Sequence, residues 1–313
     1  MISVLMSVYN EKKEWLCHAI ESILNQTVRD FEFIIVVDNP CLPTELCDIL
    51  KGYAESDTRI RLLYNKKNLG LAQSLNLGLK EAKGEFIARM DADDISFSER
   101  FEKELAFLTQ TGADMVSCQR INIDEGGKEI SRSRHNGRDP NRALPYSNYI
   151  VHPSVMMKAS VVRELKGYRN FKKSQDYDLW LRMISGGYAI AVMEDYLIYY
   201  RMRESGISIR NPLEQYYISE YQKKLYRERI RKGYDSFSEE GLLHYLETKK
   251  MTERKVQNYK IARNALSEAI GMYRAHSLGC ILKAAKAMVN YPEIVLKTVV
   301  TAATLNQFAP RKI

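Results

Sequence analysis

Apolar and polar positions along the first 118 residues alternate between two periods. Short β-branched runs, Ile2–Val8, Phe31–Asp38, Arg59–Tyr64, Glu85–Met90 and Asp114–Cys118, are separated by stretches of helical spacing such as Glu11–Asn25 and Leu71–Lys83. That alternation predicts an α/β layout with a mostly parallel sheet. Ligands of such sheets bind beyond the carboxyl ends of the strands, which directs attention to Tyr9-Asn10, Asp38-Asn39, Asn65 to Gly70, and Asp91 to Asp94.

Past position 118 the pattern loosens. It predicts a hairpin around Gly126-Gly127, a polar stretch Arg132–Arg142, an extended run Tyr149–Met157, a helix Gln175–Ser185, and two strands, Tyr188–Met193 and Tyr196–Met202. From Pro212 the spacing is almost wholly helical, over Leu213–Arg231, Ser238–Lys250, Glu253–Tyr273 and Leu278–Asn290. Proline and a shift in composition put a boundary at Asn211-Pro212. The chain is thus expected to hold an α/β domain over 1–210, with halves 1–118 and 119–210, and a helical region over 211–313.

Composition narrows the class. With 313 residues, 45% hydrophobic and 27% charged, the chain can bury a sizeable core. The strand-like run Ile2–Val8 lacks the features of a secretory leader, so a cytoplasmic location is expected. Five scattered cysteines, without ligand spacing, are read as reduced thiols.

Charge is unevenly divided. Residues 211–313 hold 18 Lys+Arg and 10 Asp+Glu, while positions 1–210 hold 29 of each, so the whole net charge of +8 lies in the last third. A neutral body with a basic tail calls for an anionic partner, either membrane lipid or nucleic acid. No nucleic-acid recognition motif accompanies the charge, which points away from nucleic acid. In that tail Leu278, Ile281, Leu282, Ala285, Met288 and Val289 recur at helical spacing with Lys283, Lys286 and Asn290 opposite, whereas Ile294–Leu305 is apolar but too short to span a bilayer. Three readings stay open: a peripheral helix on an anionic membrane surface, a cover for the catalytic domain, or contact with a second subunit in a homo-oligomer.

The chemistry concentrates at Asp91-Ala92-Asp93-Asp94, where three carboxylates end a strand. Their repulsion is costly unless a cation occupies the place, and Mg2+ or Mn2+ bound by one or two carboxylates suits a diphosphate. On the tripeptide alone, a solvent-facing cap for the next helix is an equal alternative.

Six segments change that balance: Ser3-Val-Leu-Met-Ser-Val-Tyr-Asn-Glu11, Phe31-Glu-Phe-Ile-Ile-Val-Val-Asp38, Asn68-Leu-Gly-Leu-Ala72 with Asn76, Gly84-Glu-Phe-Ile-Ala-Arg-Met-Asp-Ala-Asp-Asp94, His152-Pro-Ser-Val155 and Gln175-Asp-Tyr-Asp-Leu-Trp-Leu-Arg182. In these, and in their order, the chain resembles the family 2 glycosyltransferases over most of its first 205 residues. The resemblance implies a GT-A fold, with a nucleotide-sugar half over 1–118 and an acceptor half over 119–210. It implies an inverting transfer from a nucleotide sugar, with uridine favoured, to a saccharide acceptor, lipid-linked if the chain serves cell-surface polysaccharide assembly on the inner membrane face.

Residue by residue, the resemblance puts Ser7, Tyr9, Asp38 and Asn39 at the base, and Asn68, Gly70, Asp91 and Ala92 along the donor. Asp91 and Asp93 fall at the metal, Asp176 at the general base, and His152, Tyr177 and Trp180 near the acceptor. The chain departs from the family at Ser7, where proline is usual, at Asn39, where a second aspartate is common, and at Gln175, where glutamate is common. Two rivals are weighed. A sugar nucleotidyltransferase needs a glycine-rich loop after the first strand, and Ser7-Val-Tyr-Asn10 has no glycine. A nucleotide-sugar-binding assembly partner without turnover has no reason to keep Asp91, Asp93 and Asp176 together.

Overall fold

The computed structural model describes residues 1–133, 139–203, 211–274 and 277–306. The chain divides into two compact units, Met1–Asn136 with Asn148–Arg203, and Gly137–Ser147 with Glu204–Ile313.

The first unit is built on a nine-stranded sheet. Strands β1 (Ile2–Val8), β2 (Phe31–Val37), β3 (Ile60–Tyr64) and β4 (Phe86–Asp91) run parallel in the order β3-β2-β1-β4, joined through helices α1 (Lys13–Leu24), α2 (Thr44–Ser56) and α3 (Leu71–Glu81). Every residue of β2 is buried, and in β1 only Ser7 is partly open, so neither strand has a solvent-facing side and both read as near-continuous apolar runs, interrupted by Ser3, Ser7 and Glu32. The other half of the sheet is mixed. Strand β6 (Met115–Ile123) pairs antiparallel with β8 (Val155–Lys158) and parallel with β9 (Ile190–Arg201), and β8 is also antiparallel to β4. The short strands β5 (Ile95–Ser96) and β7 (Glu129–Arg132) pair antiparallel with β9 and β6. The mostly parallel sheet expected of the first 118 residues is present in β1 to β4, while the later strands add antiparallel pairs, because the apolar pattern of a four-residue strand such as β8 carries no direction.

The hairpin around Gly126-Gly127 is present, closed by Asp124, whose Oδ1 accepts from the Gly126 and Lys128 amides at 3.0 and 2.9 Å. The two strands expected over 188–202 are one. Exposed Glu194-Asp195 sits where β9 slips register against β6, and that charged pair reads as a turn.

Contacts at both ends fix the position of β4. Ser3 Oγ donates to Glu32 at 2.6 Å and accepts from the Gly84 amide at 2.8 Å, and a Cβ on residue 84 would stand 2.6 Å from the Ser3 nitrogen. Only glycine lets the chain enter β4 this close to β1. Helix α4 (Arg100–Thr111) adds a fully buried Arg100, paired with Glu104 at 2.9 Å and donating to the carbonyls of Arg89 at 3.0 Å and Val155 at 3.3 Å, which ties β4 to β8.

The second unit holds a short helix, α5 (Pro140–Ala143); α6 (Ala159–Glu164) and α7 (Gln175–Ser185) belong to the first. The other elements described in the second unit are helices: α8 (Pro212–Lys232), α9 (Glu239–Thr248), α10 (Glu253–Arg274), α11 (Gly279–Asn290) and α12 (Pro292–Asn306). Asn211 and Ser238 cap α8 and α9 through the amides of Glu214 and Gly241, and Gly233, at φ 80°, ends α8. The core joins Leu213, Tyr217, Tyr259, Ala262, Ala265, Ala287, Tyr291, Ile294 and Val295. The expected apolar stripe is present and lies outward: α11 is seated through Ala287, while Leu278, Ile281, Leu282 and Val289 face solvent. Small residues allow α10 and α11 to pack closely, which leaves the larger apolar side chains outside. Among the described residues no helix is long and apolar enough to cross a membrane.

Replacing Gly84 by alanine should destabilise the chain by about 2 kcal/mol, because the neighbour that must yield is backbone. Urea unfolding measures this, and an unchanged midpoint would contradict the assigned contact.

Candidate active site

The carboxyl ends of β1, β2 and β4 lie side by side, with Ser7 in register with Val36 on one side and Asp91 on the other. Asp38, at the end of β2, is buried. Its Oδ1 accepts from Asn65 Nδ2 at 2.7 Å and from the Leu69 amide at 2.8 Å, and its Oδ2 from the Gly70 amide at 2.8 Å. Asn68 Oδ1 shares the Gly70 amide at 3.0 Å, and Gly70, at φ 81°, turns the chain into α3. Asp38 thus holds the loop 65–70, with most of its lone pairs already used. Asn39 likewise stitches two strand ends, donating to the Tyr9 carbonyl at 2.8 Å and accepting from the Cys41 amide at 3.0 Å. Tyr9 keeps an exposed ring, while its amide donates to Glu11 at 2.8 Å.

At the end of β4, Asp91, Asp93 and Asp94 bring their carboxylates within 4.8 Å of one another. Each has a different counterweight. Arg89 pairs with Asp91, Arg203 Nε lies 2.7 Å from Asp93 Oδ2, and the Arg201 amide donates to Asp94 Oδ1 at 2.8 Å. Arg201 also donates from Nε to the Asp93 carbonyl at 2.9 Å and from Nη1 to the Glu125 carbonyl at 3.0 Å, which ties the hairpin of β6 and β7 to the cluster. The guanidinium groups of Arg201 and Arg203 lie 5.2 and 5.9 Å from the Trp15 ring.

These cations do not cancel the strain. Burial and the neighbouring Asp91 push the Asp93 carboxyl up to about 7 against the pull of Arg203, and burial, then Asp93 and Asp91, holds Asp94 well above the usual range. Burial raises Glu11 as well, opposed by the Tyr9 amide and Arg203. Clustered hard oxygen donors with unrelieved repulsion fit a divalent cation such as Mn2+ or Mg2+. Asp94 gives Oδ1 to the Arg201 amide and keeps a buried Oδ2 with no hydrogen-bond partner among the described residues, so all three carboxylates are candidates to hold one. Buried Ala92 joins them. A solvent-facing cap at Asp94 is excluded by its burial.

The other centre lies at the start of α7. Asp176 Oδ2 accepts from Asn148 Nδ2 at 3.2 Å, and burial raises its carboxyl although the Tyr177 amide and Asn148 pull the other way; the charge of Asp91 also reaches it. Asp178 is structural. It is buried against Arg182 at 2.8 Å, and Arg182 donates on to the carbonyls of Leu165 at 2.6 Å and Gly167 at 2.7 Å. Asn76 of α3 grips the same loop, bonding the Tyr168 carbonyl and amide at 2.7 and 2.8 Å. Tyr168 then meets His152 Nε2 at 2.9 Å, and the His152 ring packs edge-on against Tyr168 and Trp180. Burial, then Arg89, holds His152 neutral. Tyr177 and Trp180 are 1% and 0% exposed, so the structure places both in the core.

The sequence model described as Glycosyl transferase family 2 matches residues 3–166, which takes in β1 to β4, the carboxylate cluster and β8. The chain belongs to glycosyl transferase family 2. Among curated members it is 38% identical over 189 residues to the "O-antigen biosynthesis glycosyltransferase WbnJ" of Escherichia coli, covering 59% of this chain and 72% of that one. Two solved structures share its fold: S. aureus TarS 1-349 in complex with UDP-GlcNAc, with TM-score 0.62 and 17% identity over 99% of this chain and 93% of that one, and the mannosyltransferase PcManGT from Pyrobaculum calidifontis in complex with GDP-Man and Mn2+, with TM-score 0.57 and 17% identity over 98% and 87%. The glycosyltransferase therefore has the GT-A fold. Reading its sequence alone does not single out Glu11, Arg89, Asn148 or Tyr168. Arg201 and Arg203, at the end of the last predicted strand, are read from the sequence as able to approach a diphosphate, with solvated strand-end charges as the safer reading; the structure pairs Arg203 with Asp93 and buries Arg201.

In the metal-free glycosyltransferase, folded Asp93 holds a proton that the unfolded chain has released between about pH 4 and pH 7, so stability falls as pH rises through that window. The Asp93→Asn variant should lose less melting temperature than wild type between pH 5 and pH 8 in chelator. Equal losses would remove Asp93 as a source of the repulsion.

Proposed function

We propose that this glycosyltransferase moves a sugar from a UDP-linked donor onto a saccharide hydroxyl in a single displacement, with inversion at the anomeric carbon. The observation that carries the reading is Asp176, a carboxylate made more basic by burial, oriented by Asn148, and lying within the electrostatic reach of Asp91. Asp91 and Asp93 would hold Mn2+ or Mg2+, which supplies Lewis-acid stabilisation of negative charge on a diphosphate. The Mn2+ in the PcManGT complex and the UDP-GlcNAc in the TarS complex support that choice of metal and donor.

Asp176 receives the proton of the acceptor hydroxyl as that oxygen bonds to the anomeric carbon. The bond from this carbon to the phosphate oxygen breaks, and its electron pair leaves with the nucleoside diphosphate. Asn148 holds Oδ2, which fixes the carboxylate plane during the transfer. Exposed Tyr9 and Asn68 with the Gly70 turn offer the donor an edge, shaped from behind by Asp38 and Asn39. Catalysis is assigned to the unit that holds the sheet. The O-antigen role in the name of WbnJ supports an acceptor in polysaccharide assembly.

Changing Asp176 to Asn preserves the shape and the helix-starting side chain while removing the base. Turnover should fall on the order of 100-fold or more, with the UDP-sugar dissociation constant within about twofold. In wild type the acid limb of the turnover profile should lie above the usual aspartate range, since the working form is deprotonated. Near-normal turnover of the variant with intact binding would contradict this role.

A further inference from the structure

Helices α11 and α12 each carry a second apolar stripe that the core of their unit does not use. They are seated through Ala287, Tyr291, Ile294, Val295 and Leu305, all buried. On the outside, Leu278, Ile281, Leu282 and Val289 of the α11 segment, and Leu296, Val299 and Val300 of α12, are 58–85% exposed. They recur at three- and four-residue steps, so each set lies along one side of its helix. Tyr273, at the end of α10, is exposed too, and Met272 beside it stands 3.3 Å from the position a Cβ on Gly279 would take, which brings the foot of α10 against the start of α11. Scattered single apolar residues need no explanation, but two aligned stripes on consecutive helices form a patch that water does not favour.

Charge decides what covers it. From Glu253 to Asn306 the chain carries eight basic residues against three acids, Glu253, Glu268 and Glu293, with Lys283 paired to Glu268 and Lys297 to Glu220 and Glu293. Two copies meeting through this face would bring like-charged segments together, whereas an anionic surface would be attracted to it. We propose that α11 and α12 form a docking face for the anionic lipid surface of a membrane, with both outward stripes lying in the headgroup boundary, Tyr273 at its edge, and the net positive charge of the segment drawing it to lipid phosphates. Helices of this kind lie in the interface plane without spanning it, in keeping with their length. The proposal is independent of the assignment of Asp176 and of the metal.

The test uses the full chain with vesicles rich in phosphatidylglycerol and vesicles of phosphatidylcholine alone. Wild type should sediment with the anionic vesicles, less well at high salt, and poorly with the neutral ones. Leu282→Glu combined with Val300→Glu should weaken anionic-vesicle binding by about tenfold or more. Because both positions face solvent, the variant should keep its melting temperature and its UDP affinity. Leu282→Ser with Val300→Ser, a milder change, should give an intermediate loss. Absence of wild-type binding, or equal binding by wild type and the Glu variant, overturns the proposal. A wild-type dimer on size exclusion with light scattering, dissociated by the Glu variant without vesicle binding, also overturns it and assigns the face to a second copy.

Discussion

Mutual repulsion among Asp91, Asp93 and Asp94 constrains everything around the end of β4. Three carboxylates within 4.8 Å cannot all stay charged in a partly enclosed site without compensation, and the chain brings compensation from three directions. Arg89 comes from within β4, Arg201 from the end of β9, and Arg203 from just beyond it. Arg89 shows what this costs. It is 1% exposed, and its Nε and Nη1 groups have no hydrogen-bond partner among the described residues, an arrangement that costs about 1–3 kcal/mol for each unmet donor. A chain selected only for stability would do better with a hydrophobic residue there. Retaining a buried cation beside three acids is the pattern of a site that binds charge.

The same constraint links the two halves of the sheet. The Arg201 backbone bonds Asp94 while its side chain reaches the hairpin of β6 and β7, so the position of β9 and the shape of the cluster depend on each other. On the far side, α3 and α7 both grip the loop 165–168, one through Asn76 and the other through Arg182. That loop sets Tyr168 against His152, and α7 begins with Asp176. The helix that starts at the Gly70 turn and the helix that carries Asp176 in its first turn are thereby held by one loop.

How much of this could be read from the sequence follows from which features are local. The strands β1 and β2 are legible because burial on both faces removes every polar position but a few. The Asp91-Ala92-Asp93 segment is legible because its meaning lies in its own spacing at a strand end. The direction of β8, the continuity of β9 through Glu194-Asp195, and the outward turn of the α11 stripe are set by tertiary packing, which overrides the local pattern. Site residues divide the same way. Asn148 meets Asp176 across 28 residues and Arg203 meets Asp93 across a greater distance, so neither pairing leaves a local trace. Tyr177 and Trp180 look like acceptor contacts because they adjoin Asp176, but α7 is buried along most of its length and turns both inward. Asp38 and Asn39 show a subtler limit: their place at a strand end is visible, and their use as loop anchors is not.

The central claim is that the carboxylates at the end of β4 form a divalent-cation site that serves a nucleotide diphosphate. Calorimetric titration of UDP into the full chain, with Mn2+ and then with chelator, addresses it directly, repeated on Asp91→Asn. The account predicts that Mn2+ tightens UDP binding at least about tenfold in wild type and that the gain is lost in the variant. Equal affinity with and without Mn2+ in wild type, or a full Mn2+ gain in Asp91→Asn, would contradict it.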